Sequence, residues 1–279
     1  MDRRSFLQAA AVASAASCLP SAVAAAPDPP RFRKSLKWNM VGDKSGSLAE
    51  SFEKLKACGF EGLEPNLSEV KDPAEWLEAS RSTGLHIDCI VSPQLDGIEQ
   101  AIDLCKRLGG DSILTVARYD VSKPFADNWK RCVEIIRAAA PHAERQGVKI
   151  LVENVWATFL ISALDMQRFI DEIAHPFVGV HYDVGNVVRW GVAEHWVEVL
   201  GSRIGKLDVK EYSLPKAMKE GMAKGFDTPL GEGSIKWDAV RSELDKIGLT
   251  GWAAAEMRSG DWEYLADVAK RMDKVLGNV

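Results

Sequence analysis

Short apolar runs alternate with amphipathic segments along most of this 279-residue chain. Eight of these runs have the length and residue types of buried strands. The predicted strands are Leu36–Met40, Gly62–Pro65, Ile87–Val91, Ser112–Ala117, Lys149–Val155, Val178–Tyr182, Ile204–Val209 and Trp252–Met257. The segments between them carry helical spacing, as in Ile98, Ala101, Ile102 and Cys105. The pattern therefore predicts eight strand–helix units in succession.

Strands that alternate with helices favour parallel pairing, and eight units in residues 35–279 match an α/β fold with a single closed (β/α)₈ TIM barrel. A doubly wound open sheet is the alternative. No G-x-G-x-x-G follows the first predicted strand, and no G-x-x-x-x-G-K-[ST] phosphate loop occurs. Residues 212–236, with several glycines and two prolines, predict a long loop on the face where barrel enzymes place their active sites.

The first 26 residues have the layout of an export signal, with a charged start, a short apolar middle and small residues at the end. Arg3-Arg4 followed by Ser5-Phe6-Leu7 resembles the bacterial twin-arginine signal. A cytosolic amphipathic helix and a lipoprotein cleavage at Cys18 are the alternatives. The prediction is a signal peptide over residues 1–26, a linker over 27–34, a barrel over 35–279 and a periplasmic protein.

Composition and charge exclude several classes of partner. The chain is 46% hydrophobic and 27% charged, which is typical of globular proteins. It carries 35 basic and 40 acidic side chains, a net charge of −5, so binding to nucleic acid or to an anionic membrane is disfavoured. The mature part is expected to have no membrane span.

Carboxylates stand at the ends of four consecutive predicted strands. Glu153, Asp183, Asp208 and Glu256 end the fifth to eighth strands, and His181 lies on the same side of its strand as Asp183. The C-terminal ends of barrel strands surround one pocket, where four carboxylates would repel one another without a cation. An all-oxygen site prefers Mg²⁺ or Mn²⁺ to Zn²⁺. The alternative treats each acid as a salt bridge or a helix cap.

Six short motifs occur in a characteristic order. They are Gly59-Phe-Glu-Gly-Leu-Glu64, Glu153-Asn154, Asp183-Val-Gly-Asn186, Asp208-Val-Lys210-Glu211, Leu230-Gly-Glu-Gly233 and Glu256. In this order the chain resembles the xylose isomerase-like barrel superfamily, the sugar (phosphate) isomerases and epimerases with their dehydratase and lyase relatives. The resemblance runs from about Ser35 to Leu276.

The resemblance implies a metal site. The family's ligands are a Glu, an Asp, a His and a Glu, which fall here on Glu153, Asp183, Asp208 and Glu256. Mn²⁺ or Mg²⁺ is the expected ion, with Co²⁺ or Zn²⁺ as alternatives. Asp208 departs from the usual His-x-Lys-Asp motif, so either the metal preference differs or Asp208 is not a ligand. Asn186 stands where many epimerases have His.

The resemblance also implies roles in catalysis. Glu153 and Glu256 are the expected acid/base pair, and Lys210 either stabilises an enediolate or forms a salt bridge to Glu64 or Glu211. The residues expected to contact the substrate are His181, Glu64, Asn66, Trp38, Asn186 and Arg258. Trp156 is a further candidate for stacking on a sugar, with core packing as the alternative for the tryptophans, and His181 is otherwise a neutral group behind the ligands.

The expected function is that of an exported, metal-dependent isomerase or epimerase, or a related lyase of keto-glycosides. It would act on a sugar or keto-sugar by proton transfer next to a carbonyl. Export argues against sugar phosphates, and the oligomeric state stays open. One alternative is a non-catalytic periplasmic barrel that binds sugar or metal. A DNA-repair nuclease, whose zinc site needs many histidines, fits the five His poorly.

Overall fold

The computed structural model describes residues 31–156 and 159–278. Its strands are β1 (Phe32–Leu36), β2 (Gly62–Leu63), β3 (His86–Ile87), β4 (Cys89–Val91), β5 (Ser112–Thr115), β6 (Lys149–Glu153), β7 (Val178–Asp183), β8 (Ile204–Val209) and β9 (Gly251–Ala255). Its helices are α1 (Leu48–Cys58), α2 (Pro73–Thr83), α3 (Ile98–Leu108), α4 (Phe125–Gln146), α5 (Ala163–Ile173), α6 (Ala193–Leu200), α7 (Leu214–Glu220), α8 (Trp237–Lys246) and α9 (Trp262–Leu276).

The strands form a closed parallel barrel. One sheet has the order β1-β9-β8-β7-β6-β5-β4, and β2 pairs with β3, which continues into β4 as one barrel strand. The ring closes between β1 and β2, where Glu61 N donates to Lys34 O at 2.8 Å and Glu64 N donates to Leu36 O at 2.8 Å. The predicted (β/α)₈ barrel is therefore confirmed, and the open sheet is excluded.

The amphipathic helices cover the barrel as their spacing predicted. In α3, Ile98, Ala101, Ile102 and Cys105 are all buried in the main hydrophobic core. The helix ends at Gly109, whose φ of 87° is the left-handed conformation that glycine adopts most readily. Tight helix ends of this kind bring each chain segment back to the next strand and so set where the strand ends fall.

The first strand lies earlier than predicted. It occupies Phe32–Leu36 instead of Leu36–Met40, and Trp38–Met40 forms a 3₁₀ turn. The strand was missed because it contains charged residues and is not an apolar run. In the structure these side chains lie outside the barrel, where Arg33 lies over the Trp252 ring at 3.8 Å and Lys34 pairs with Asp273 at 2.6 Å. The barrel thus begins inside the segment predicted as a linker.

The segment predicted as an irregular loop contains regular structure. Residues 212–236 include α7 and a 3₁₀ turn over Met222–Phe226. Ser213 caps α7 through its side chain, which accepts a hydrogen bond from Lys216 N. The helix was missed because it is short, has Pro215 in its first turn and is followed directly by Gly221.

The predicted signal peptide, residues 1–26, lies outside the described residues. Among the helices that the structure describes, none combines the length and the apolar character needed to cross a membrane.

Candidate metal centre and active site

Four carboxylates converge at the C-terminal end of the barrel. Glu153 ends β6, Asp183 ends β7, Asp208 lies near the end of β8, and Glu256 directly follows β9. The structure brings one oxygen of each within 4.8 Å of the other three. Neighbouring parallel strands explain this convergence, since Asp183 and Asp208 are partners in the β7–β8 register.

Asn154 and Asn186 hold the ends of β6 and β7 together. The Asn154 amide donates to Asp183 O at 2.8 Å and accepts from Asp183 N at 2.9 Å. Asp183 Oδ1 accepts from Asn186 N at 2.9 Å, and Asn186 Nδ2 donates to Glu153 Oε1 at 3.2 Å. Asn186, predicted to contact the substrate, therefore borders the cluster and orients Glu153.

Lys210 is the cation in direct contact with the outer edge of the cluster. Its Nζ lies 2.8 Å from Asp183 Oδ2 and 3.1 Å from Glu256 Oε2. Burial works against its charge, but Asp183 and Glu256 raise the pKa of Lys210 above its ordinary value. Of the alternatives open from the sequence, the salt bridge to Glu64 or Glu211 is wrong, because Lys210 pairs inside the cluster.

The turn after β7 packs tightly on Lys210. A Cβ at Gly185 would lie 2.8 Å from Lys210 Cγ and 3.0 Å from Lys210 O. A backbone oxygen at that distance cannot move aside as a flexible side chain could. Gly185 is therefore the residue that lets the turn and Lys210 share this edge of the site.

Asp208 is held by two groups that lie deeper in the barrel. Lys37 Nζ lies 2.8 Å from Asp208 Oδ1, and His181 Nε2 lies 2.9 Å from the same oxygen. Burial and the neighbouring Lys37 hold the pKa of His181 well below its ordinary value, so the imidazole is neutral. His181 is fully buried and acts behind the ligands, which was the alternative to its predicted substrate contact.

Lys37 also pairs with Glu64, which is fully buried. The predicted substrate contact of Glu64 is therefore not seen, and Glu64 instead compensates the charge of Lys37. Below it, Lys206 Nζ lies 2.8 Å from Asp88 Oδ2 and 3.1 Å from Asp111 Oδ1. The barrel interior thus contains a lower layer of ion pairs that supports the carboxylate cluster.

The acidity of the four carboxyl groups reflects their burial and mutual repulsion. Burial raises the pKa of Asp183 to about 7 and that of Asp208 to about 6, against the opposing charges of Lys210 and Lys37. Burial and Glu256 raise the pKa of Glu153 well above its ordinary value. Glu256 differs, because Lys210 and Lys37 outweigh its burial and lower its pKa.

The cluster fits a hard divalent cation. Its four carboxylates face two ammonium groups, and Lys37 is shared with Glu64. Among the cluster oxygens that the structure describes, Asp183 Oδ2 and Glu256 Oε2 pair with Lys210 Nζ, and the buried Asp208 Oδ2 has no hydrogen-bond partner. A set of carboxylate oxygens with excess negative charge is the donor set that Mg²⁺ and Mn²⁺ prefer.

Three predicted substrate contacts have partners outside the cluster. Trp38 is 4% exposed and packs edge-to-face on aromatic rings of α1 and α2, so core packing accounts for it. Asn66 Nδ2 donates to Glu69 at 2.9 Å and lines a separate groove. The Arg258 guanidinium lies 4.1 Å from the Tyr264 ring centre. Sequence position placed these residues on the right face of the barrel without showing where their side chains point.

Two aromatic side chains border the cluster, and neither could be placed precisely from the sequence. Phe226 lies beside Lys210, with 5.3 Å between Lys210 Nζ and the ring centre. Trp156 follows β6 and donates from its indole to Asn186 O at 2.7 Å. Trp156 was a candidate from its place after a strand, whereas Phe226 lies in the segment predicted as irregular and carried no signal.

Comparison of the sequence with known protein families agrees with the fold. The profile of the family described as "Xylose isomerase-like TIM barrel" matches residues 52–275, so the chain belongs to this family. It is similar to a protein of Escherichia coli K12 named "Putative L-ribulose-5-phosphate 3-epimerase", with 24% identity over 245 residues, 77% of this chain and 85% of that protein. A protein of the same name from Haemophilus influenzae is 26% identical over 81% of this chain and 87% of its own length.

Solved structures share the fold. The 3-keto-D-glucoside 4-epimerase of Escherichia coli in its apo form superposes with a TM-score of 0.71 at 14% identity, over 88% of this chain and 98% of that one. The D-psicose 3-epimerase of Clostridium cellulolyticum with D-tagatose gives a TM-score of 0.70 at 17% identity, over 88% and 99%. At these identities the similarity shows a shared barrel.

Proposed function

We propose that this protein is a metal-dependent sugar epimerase that inverts a carbon next to a carbonyl group. The observation that carries the proposal is the position of Glu153 and Glu256. They approach the same carboxylate cluster from β6 and β9, two strands that β7 and β8 separate. The relatives named as epimerases support the same class of reaction.

The two glutamates suit opposite roles. Glu153 and Glu256 approach the cluster from strands on opposite sides of β7 and β8, so each can reach a different face of one bound carbon. Glu256 takes the proton from the carbon on one face of the sugar, and Glu153 delivers a proton to the other face. The carbon is inverted, and no atoms other than protons are exchanged.

A divalent cation held by Glu153, Asp183, Asp208 and Glu256 would polarise the carbonyl and an adjacent hydroxyl, which makes the neighbouring C–H more acidic. Lys210 lies against Glu256 and can donate a hydrogen bond to the substrate oxygen that gains negative charge. Asn186 orients Glu153 through its amide.

We propose free sugars or keto-sugars as substrates in place of sugar phosphates. The support is the proposed export of the protein, because sugar phosphates are mostly cytosolic and the chain begins with a twin-arginine-type segment at Arg3-Arg4. β-Elimination from a keto-glycoside starts with the same proton removal, but the relatives of this chain carry the names of epimerases and lend it no support.

The test is isotope exchange in D₂O. Ketoses and 3-keto-glucosides are incubated with the Mn²⁺-loaded protein, and deuterium at the carbon next to the carbonyl is followed by NMR. We expect exchange with inversion, lost when EDTA removes the metal. Glu256→Gln should lower the rate by about 10²–10⁴-fold, because it removes a general base. Glu69→Gln, outside the cluster, is the matched control.

Three outcomes would contradict the proposal. Full exchange by protein shown to be metal-free would separate the cluster from the chemistry. Sugar binding without any exchange would favour the non-catalytic binding barrel, and release of an aglycone would indicate elimination.

A further inference from the structure

A row of aromatic side chains leads from the carboxylate cluster to the protein surface. Lys210 Nζ lies 5.3 Å from the centre of the Phe226 ring, which in turn lies 5.0 Å from that of Trp156. Trp156 lies 6.4 Å from Trp190, whose side chain is 60% exposed. A large aromatic ring so exposed, in line with a candidate active site, is typical of a binding surface.

Arg189 adds a polar group to the outer end of this row. Its guanidinium carbon lies 4.4 Å from the Trp190 ring centre and 5.7 Å from that of Trp156. Within residues 31–156 and 159–278, the buried Nε of Arg189 has no hydrogen-bond acceptor. Most other arginines of the barrel pair with a carboxylate or a carbonyl, so Arg189 retains donors for a ligand.

A recess of about 410 Å³ continues from Trp190. Its walls include Arg189, Trp190, Tyr212, Leu214, Met218 and Met222. Met218 is 87% exposed and Met222 is 44% exposed. Exposed methionines adapt to ligands of varied shape, so the recess is suited to a ring with an apolar face.

We infer that Trp156, Arg189, Trp190 and the adjoining recess, here called the outer aromatic surface, bind a second ring that is linked to the reacting sugar. The inference rests on the proposed function and narrows its substrate class to glycosides whose second ring is glycosyl or aryl. The C–H face of a glycosyl ring or the π face of an aryl ring stacks on the indoles, and the hydroxyl groups of a glycosyl ring accept hydrogen bonds from Arg189. A monosaccharide held at Glu153 and Glu256 would leave the outer aromatic surface empty.

Binding of unreactive probes tests the inference separately from catalysis. Methyl β-D-glucoside, phenyl β-D-glucoside and cellobiose are titrated into the Mn²⁺-loaded protein by calorimetry. We expect the two probes with a second ring to bind about three- to tenfold more tightly than the methyl glucoside, the range of one aromatic stack. The affinities of phenyl β-D-glucoside and of cellobiose show whether the surface prefers an aryl or a glycosyl ring.

Trp190→Ala should abolish that advantage and leave methyl glucoside binding unchanged, while Trp190→Phe should retain most of it. Phe125→Ala, an exposed aromatic residue on α4, is the matched control and should change neither. Equal binding of all three probes, or no binding of the two-ring probes to the unmodified protein, would overturn the inference.

The result is distinguishable from a failure of the proposed function. Glu256→Gln should keep the two-ring advantage while it loses deuterium exchange. A protein with the advantage but no exchange in any form would refute the epimerase and retain the outer aromatic surface. If Trp190→Ala instead dissociates a dimer in light scattering and leaves the probe affinities unchanged, the surface joins two copies of the chain and the inference is wrong.

Discussion

Asp208 shows how one side chain changes the charge balance of the candidate metal site. The family resemblance implies a neutral imidazole where this chain has a carboxylate. Here Lys37 lies 2.8 Å from Asp208 Oδ1, and the neutral His181 contacts the same oxygen. Lys37, Glu64 and Asp208 together carry one negative charge, and Asp208 Oδ2 remains available to a metal.

This pairing predicts that Asp208→His weakens metal binding when Lys37 is present. Lys37 would keep Glu64 as its partner, but the groups around the ion would carry one negative charge less. We expect Mn²⁺ affinity to fall by about 10–100-fold, the usual effect of disturbing groups behind metal ligands, and the remaining preference to shift toward Zn²⁺ or Co²⁺. Calorimetric titration of each metal measures both effects.

A double-mutant cycle that combines Asp208→His with Lys37→Gln tests this charge balance. Lys37→Gln removes the charge and can still donate a hydrogen bond to Glu64, so its combination with Asp208→His should recover most of the lost affinity. Lys44→Gln, an exposed lysine near Trp38, is the control. A double variant that binds no better than Asp208→His alone would show that charge compensation is not the function of Lys37.

The carboxylates could be predicted from the sequence and Lys37 could not, for a physical reason. Glu153, Asp183 and Glu256 each end an apolar run, and the ends of parallel barrel strands must meet. Lys37 follows β1, whose charged Arg33 and Lys34 disguised the strand. Glu64 was expected to contact the substrate from its place in the motif Gly59-Phe-Glu-Gly-Leu-Glu64, and a motif does not show how deep in the barrel a side chain lies.

At the scale of elements, turn geometry governs the site as much as the strands do. The eight strand–helix units follow from periodicity, which depends only on local sequence. The close packing of the β7 turn on Lys210 joins residues far apart in the chain, and the motif Asp183-Val-Gly-Asn186 contains the glycine without showing why it is needed. Such long-range packing is what local pattern cannot supply.

Gly185→Ala should therefore damage the site more than the fold. The added Cβ would lie 2.8 Å from Lys210 Cγ and 3.0 Å from Lys210 O, so the turn or Lys210 must shift. We expect a loss of about 1–3 kcal/mol in the free energy of unfolding, together with weaker Mn²⁺ binding, measured by urea unfolding and calorimetry.

Gly97→Ala is the matched control, since its Cβ would meet only side-chain atoms, at 3.2 Å and 3.3 Å. Metal binding by Gly185→Ala equal to that of Gly97→Ala would show that Lys210 does not depend on the turn.

At the scale of the whole molecule, we propose that residues 1–26 direct export by the twin-arginine route, on the strength of Arg3-Arg4-Ser5-Phe6-Leu7. Replacing Arg3 and Arg4 by lysine should leave the precursor in the cytoplasm, as shown by immunoblots of separated periplasm and cytoplasm. Arg31→Lys, beyond the signal, is the control. Normal export of the double variant would contradict the proposal.

The carboxylate cluster also predicts how the stability of the whole barrel depends on pH and metal. Burial raises the pKa of Asp183 to about 7 and that of Asp208 to about 6, so the folded metal-free protein binds these protons more tightly than the unfolded chain does. Their stabilising contribution is complete below about pH 4, the pKa of an aspartate in the unfolded chain. This contribution is lost as the pH rises through 6 and 7. Between its unfolded and its folded pKa, each carboxyl group lowers the free energy of unfolding by about 1.4 kcal/mol per pH unit.

A divalent metal should reverse this dependence, because it binds the deprotonated carboxylates and stabilises the folded state by mass action. We expect the difference in unfolding free energy between Mn²⁺-loaded and EDTA-treated protein to widen from pH 5 to pH 8 in urea titrations.

Asp88→Asn is the control, because burial also raises the pKa of Asp88, to about 8, but Asp88 lies in the lower layer with Lys206. That change should alter the metal-free curve and leave the widening intact, whereas Asp183→Asn should reduce it. A difference that stays constant from pH 5 to pH 8 would mean that the cluster does not exchange its protons for a metal ion.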